Sequence, residues 1–193
     1  MPPADPMLVL CLGNPGPRYL ATRHNVGFMV ADELARRAGI GFSPGRGDYW
    51  SAPIEVGGEP LILVKPVTYM NNSGTAALQA AAALGATVER LLVVIDDVAL
   101  PLGSLRLRLS GSDGGHNGLG SVIASLGTDG IARLRCGIRP DTPPPAEDLA
   151  GFVLSPFAPG ERDVVASMIV RAADAVSEAA TSGLQRAMAR FNA

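Results

Sequence analysis

The feature that most constrains the fold is a pair of uninterrupted apolar runs, Met7 to Leu12 and Leu91 to Ile95, each stopped abruptly by polar residues. The first closes on Gly13-Asn14-Pro15-Gly16 and the second on Asp96-Asp97. A strand with one wet face alternates apolar and polar residues. An unbroken apolar run bounded by turn residues is instead a strand covered on both faces, as in a parallel sheet between helical layers. The stretches between the runs supply those layers. Asn25 to Ala38 carries Val26, Met29, Val30, Leu34 and Ala38 at helical spacing, with Gly39 placed for a C-terminal cap. Ser73 to Leu84, Leu119 to Leu126 and Glu161 to Ala180 read as further helices. Tyr49 to Val56 and Leu61 to Val64, joined by Gly57-Gly58-Glu59-Pro60, read as a hairpin. Leu105 to Leu109 alternates leucine and arginine, Arg133 to Ile138 is one more strand, and the prolines from Pro140 to Pro145 mark a loop. The expected fold is α/β: a single-domain three-layer sandwich with a mixed, mostly parallel central sheet and helices on both faces. The domain is expected over residues 7–193, behind a flexible extension at residues 1–6.

Size and charge exclude several functions. A chain of 193 residues with 47% apolar positions makes one domain that buries roughly 70% of its unfolded surface, enough to fold without disulfides or a structural metal. Cys11 and Cys136 lie inside apolar runs and read as inert buried thiols, which favours a cytoplasmic location. The N-terminus lacks an export signal, and no window approaches the ~18 apolar residues of a spanning helix. The net charge of −2 argues against a positive coat for nucleic acid. Its distribution is uneven, however: Ser104 to Arg139 holds five arginines against two aspartates, and Pro140 onward holds four arginines against seven acids. That pattern fits one local anionic contact.

Ligands of open α/β sheets bind at the carboxyl ends of the strands. Asn14, Asn71 and Asp96 all follow strands and should converge there. His24 and His116-Asn117 lie in turns beside helices that can reach the same edge. His24 admits a purely structural reading or an acid/base one, in which Asp96 holds one ring nitrogen and frees the other to take a proton. Metal-ligand spacing is lacking. Gly41-Phe42-Ser43-Pro44-Gly45 mimics a serine-hydrolase elbow, but Pro44 has no N–H for an oxyanion hole; the nucleophile left is water. The glycine-rich segments after the first strand and from Ser110 to Gly118 match neither a dinucleotide fingerprint nor an NTP loop. They suit close backbone approach to a bulky ligand. Arg106 with Arg108, and Arg133 with Arg135, each share a strand face, either as solvated arginines or as a phosphate clamp.

Taken together, these residues resemble the bacterial-type peptidyl-tRNA hydrolases along nearly the whole chain. The segment from Gly13 to Asn25 is similar to that family's first signature, and Lys65 to Asn71 with Ser73-Gly74 to its second. Asp96-Asp97 with Leu100 to Gly103, Gly114 to Leu119, and Arg133 to Ile138 are similar to the remaining three. The resemblance implies hydrolysis of the ester between a peptide and the 3′ ribose of tRNA, by a cytoplasmic monomer without metal or cofactor. It makes His24 the general base and Asp96 its partner, with Asn14 and Asn71 positioning the ester and its oxyanion. Asn117 would hold substrate and water, and Tyr19, Met70, His116 and Gly114 would line the cleft. Arg135, and Arg108 where the family commonly has lysine, would grip the 5′-phosphate end of the acceptor stem. Two alternatives remain: an RNA-binding protein that has lost hydrolysis, and a hydrolase of small acyl esters.

Overall fold

Both apolar runs become strands sandwiched between helices. The computed structural model describes residues 6–192; residues 1–5 of the expected extension lie outside them. Chain order is β1 (Met7–Cys11), α1 (Val26–Ala38), β2 (Ser43–Pro44), β3 (Tyr49–Val56), β4 (Glu59–Pro66) and α2 (Ser73–Leu84). There follow β5 (Leu91–Pro101), β6 (Leu105–Arg108), α3 (Asn117–Leu126), β7 (Ala132–Arg139), α4 (Leu149–Val153), α5 (Arg162–Ser182) and α6 (Leu184–Phe191). One seven-stranded sheet runs β2-β3-β4-β1-β5-β7-β6. The four strands β4-β1-β5-β7 are parallel, with Val9 opposite both Leu63 and Leu92, and Val94 opposite Leu134. The outer strands add antiparallel pairings at both edges.

The unbroken apolar character of β1 now has its cause. Met7, Val9 and Cys11 face one layer with α1, α5 and α6, packing among Val30, Leu34, Met168 and Ala172. Leu8, Leu10 and Leu12 face the other, with Ala76, Ala80, Leu119 and Val122 of α2 and α3. Gly39 caps α1 in the left-handed conformation at φ 68°, a position that favours glycine.

β2 and α4 have no counterpart in the sequence reading, and three further elements differ from it. β4 starts at Glu59, so the hairpin turn is Gly57-Gly58. β5 continues through Asp96 to Pro101, because an irregularity between Asp97 and Pro101 lets it re-pair with Arg139 of β7. The last long helix breaks at Gly183, and α6 follows. The side chain of Asn192 accepts from the Leu107 N–H at 2.6 Å and donates to the Leu107 carbonyl at 3.0 Å. It thereby covers part of the outer edge of β6.

The start of α1 is pressed into the sheet. A Cβ on Gly27 would lie 2.4 Å from the Leu12 carbonyl oxygen and 2.7 Å from that of Val94. Only glycine permits this approach. It sets the turn carrying His24 directly over the carboxyl ends of β1 and β5.

Candidate active site

His24 sits in a short 3-10 turn, Arg23–Asn25, ahead of α1. Its Nδ1 lies 2.8 Å from Oδ1 of Asp96, and both residues are buried, at 8% and 2% exposure. His116 approaches the same carboxylate oxygen through Nε2, at 3.1 Å. The tautomer of His116 follows from its other nitrogen: Nδ1 accepts the N–H of Leu119 at 3.1 Å and caps α3. Nε2 therefore carries the proton and donates to Asp96. A carboxylate accepts only, so Nδ1 of His24 is the donor and its Nε2 keeps a free lone pair. Burial alone would raise the Asp96 carboxyl, but His116 and then His24, through charge and hydrogen bonding, hold it well below the usual carboxylate range. Asp96 is ionised at neutral pH.

The asparagines are held differently from one another. Oδ1 of buried Asn14 accepts the N–H of Met70 at 2.8 Å, so its Nδ2 is the end left for another acceptor. The backbone of Asn14 is gripped by a residue that sequence reasoning missed. Asn25, fully buried, accepts the Asn14 N–H through Oδ1 and donates from Nδ2 to the Asn14 carbonyl, both at 2.9 Å. Its place beside His24 was the only available signal. Asn71 is exposed on the turn Met70–Asn72, and Asn117 is exposed as the first residue of α3. Gly118 joins these limbs: a Cβ there would strike Met70 Sδ at 2.3 Å and His116 Cε1 at 3.1 Å. Tyr19 meets Tyr69 edge-on, ring centres 6.3 Å apart.

A cavity of about 260 Å³ opens over this cluster, with His24, Asp96, His116 and Asn117 on its polar side and Leu149, Ala150 and Val153 on its apolar side. A neighbouring hollow of about 200 Å³ is lined by Arg108 and Arg135, and Asp97, Asp113 and Gly114 line both. The two are compartments of one cleft. Arg135 donates from Nε to Asp97 Oδ2, while Asp97 Oδ1 accepts the Ala99 N–H at 2.7 Å. Arg108 is exposed on β6.

Arg133 borders the same hollow, but its guanidinium is turned onto backbone carbonyls. It is 2% exposed, and its guanidinium is spent on the carbonyls of Ile131, Gly111, Ser112 and Asp129 at 2.7–3.2 Å. It staples the glycine-rich loop to the approach of β7, and burial pushes its pKa down. Sequence spacing also gave no sign that His24, Asp96 and His116 offer three ligand-type atoms within 4.8 Å of one another. Their convergence on one oxygen is a hydrogen-bonding arrangement, with His116 Nδ1 already committed to Leu119.

Fold and site define a class: an α/β enzyme domain with a His–Asp pair at the carboxyl edge of a parallel sheet. A family model described as peptidyl-tRNA hydrolase matches residues 8–193. The peptidyl-tRNA hydrolase of Chlorobaculum parvum is 45% identical over 185 residues, covering 96% of this chain and 97% of the relative. That of Aquifex aeolicus is 44% identical over 190 residues, with 97% of each covered. The crystal structure of the Acinetobacter baumannii enzyme superposes with a TM-score of 0.90 at 31% identity, over 99% of this chain and 96% of that one. The chain belongs to the peptidyl-tRNA hydrolase family.

Proposed function

We propose that this chain hydrolyses the ester linking a peptide to the 3′ ribose of tRNA, with His24 activating water. The observation that carries the reading is the His24 Nδ1 contact to Asp96 at 2.8 Å on the wall of an open cavity. Nε2 of His24 takes a proton from water, whose oxygen attacks the ester carbonyl. Asp96 stabilises the imidazolium that forms. Nδ2 of Asn14, with Asn71 beside it in sequence to Met70, donates to the developing oxyanion. Collapse breaks the bond to the ribose 3′ oxygen, which receives the proton from His24. The products are a peptide carboxylic acid, ionised at neutral pH, and tRNA with a free 3′ hydroxyl. A positioned base contributes about 10²–10⁴-fold, and an ester needs no covalent intermediate.

The second compartment suits the acceptor stem. Asp97 holds Nε of Arg135, which leaves the forked end of that guanidinium to pair with a phosphate, and exposed Arg108 lies on the same hollow. Asn117, His116 and Gly114 line the cavity, and the path of the 3′ end is assigned to them together with Met70 and Tyr19. Buried thiols, with Cys11 pushed up to about 12 by desolvation, fit work in the reducing cytoplasm; the enzyme acts as a monomer and needs no metal. The test is incubation with an N-blocked aminoacyl-tRNA beside an unblocked one. Wild type releases the acyl group from the first alone, and His24→Ala loses turnover by about 10²-fold or more while keeping its fold. Retained hydrolysis in that variant would refute the assignment.

A further inference from the structure

Arg23 stands next to the base in sequence, yet its side chain points into a different part of the molecule. Its side chain is 7% exposed and its guanidinium is forked onto Glu161, Nη1 to Oε1 at 3.2 Å and Nη2 to Oε2 at 2.7 Å. The same guanidinium lies 4.4 Å from the ring centre of Phe152 and 4.8 Å from that of Phe157. Its backbone N–H donates to the Ser155 carbonyl at 3.0 Å, and Thr22 bridges Pro156. Glu161 is anchored in turn, since its Oε2 also accepts the Ala158 N–H at 2.7 Å just before α5. One residue therefore gathers four groups of the segment 152–161 around itself.

That segment carries part of the cleft. Phe152 belongs to α4, whose Leu149, Ala150 and Val153 form the apolar side of the cavity facing His24. We infer that Arg23 is a positioning residue: through Glu161, Phe152 and Phe157 it holds the α4 wall at a fixed distance from the His24 base. The inference deepens the hydrolase reading and rests on it. The wall keeps bulk water off the His24–Asp96 pair and confines the acyl group, and geometry of this kind is demanding, a 1 Å drift costing on the order of 10²-fold in rate. Neither Arg23 nor Glu161 lines the cavity, so both act at one remove. The arginine compartment lies at the other end of the cleft, which separates the wall from the grip on tRNA.

The test compares wild type, Arg23→Lys, Arg23→Met, Glu161→Gln and the Arg23→Met/Glu161→Gln double variant well below their melting temperatures. Two measurements are made: kcat and KM on N-acetyl-aminoacyl-tRNA, and amide hydrogen exchange over residues 149–155. We expect Glu161→Gln to lower kcat about 10- to 100-fold with KM changed less than about twofold. Arg23→Lys keeps charge without the fork and recovers part of the loss seen in Arg23→Met. The double variant is no worse than Arg23→Met, because the two residues act as a unit. Exchange over 149–155 accelerates in each variant. A normal kcat in both Glu161→Gln and Arg23→Lys, or unchanged exchange, overturns the inference. Should Arg23→Met fail to fold, Glu161→Gln and Arg23→Lys decide it. An inactive wild type would instead refute the hydrolase reading, and the exchange data would still decide whether Arg23 holds the wall.

Discussion

Asp96→Asn removes one charge from the site while keeping its shape. Two N–H groups converge on Oδ1 of Asp96, from His24 at 2.8 Å and His116 at 3.1 Å. An asparagine oxygen can accept both. The variant thus keeps the two rings in place and loses the anion that the imidazolium needs. Charges about 4 Å apart at an effective dielectric of about 20 attract by about 4 kcal/mol. At about 1.4 kcal/mol per decade, that is a loss of roughly 10³-fold in kcat. Any population in which the amide turns its Nδ2 toward His24 adds to the loss, because Nδ1 must then accept and the proton moves to Nε2. The assay is single-turnover release of N-acetyl-amino acid from its tRNA by rapid quench, with near-UV circular dichroism to confirm folding. A folded variant that loses less than about tenfold would refute the role given to this carboxylate.

Asn25→Ala strands the N–H and carbonyl of Asn14, both buried; at about 1–3 kcal/mol per orphaned group the melting temperature should fall by about 5–15 °C, and a fall below about 2 °C would refute the bracing role. Arg135→Ala should raise KM for tRNA-linked substrates far more than for short acyl-nucleotide ones, whereas Arg133→Met should lower thermal stability and leave the salt dependence of tRNA binding unchanged. Equal effects of Arg135→Ala on both substrates would place it outside the clamp. Acid stability follows from Asp96 and Glu161. Burial acts to raise both carboxyls, and their cationic or imidazole partners, Arg23 in the case of Glu161, bring each below its ordinary value. The unfolded chain therefore takes up protons first as the pH drops below about 4. The stability these groups confer is complete above that point and drains away beneath it. Melting curves between pH 6 and 3 should show a steeper decline for wild type than for Asp96→Asn/Glu161→Gln; parallel declines would count against it.

The layers of the fold were readable because β1 and β5 are buried on both faces and carry no polar interruption. The continuation of β5 was not, since Asp96 and Asp97 look like a strand end. Their burial is offset by His116, His24 and Arg135, partners far away in sequence. Likewise α6 hides behind α5, with only Gly183 to separate them. The His24–Asp96 meeting could be anticipated from strand-end logic, but the arrival of His116 on the same oxygen could not: it depends on how α3 is capped. Arg133 shows the opposite failure. Alternation on β7 places it beside Arg135, yet a carbonyl nest formed by two loops draws it inward, and no local pattern announces such a nest.

The pairing of Asn192 with Leu107 ties the residue that follows α6 to the strand that carries Arg108. A strand whose rim is left bare is free to recruit a foreign segment, and β6 carries Arg106 and Arg108 on its other alternation. Trimming the protein after Phe191 would accordingly do two things at once: invite self-association along that rim, and loosen the platform from which Arg108 reaches out. An affinity handle is better attached ahead of β1 than behind α6.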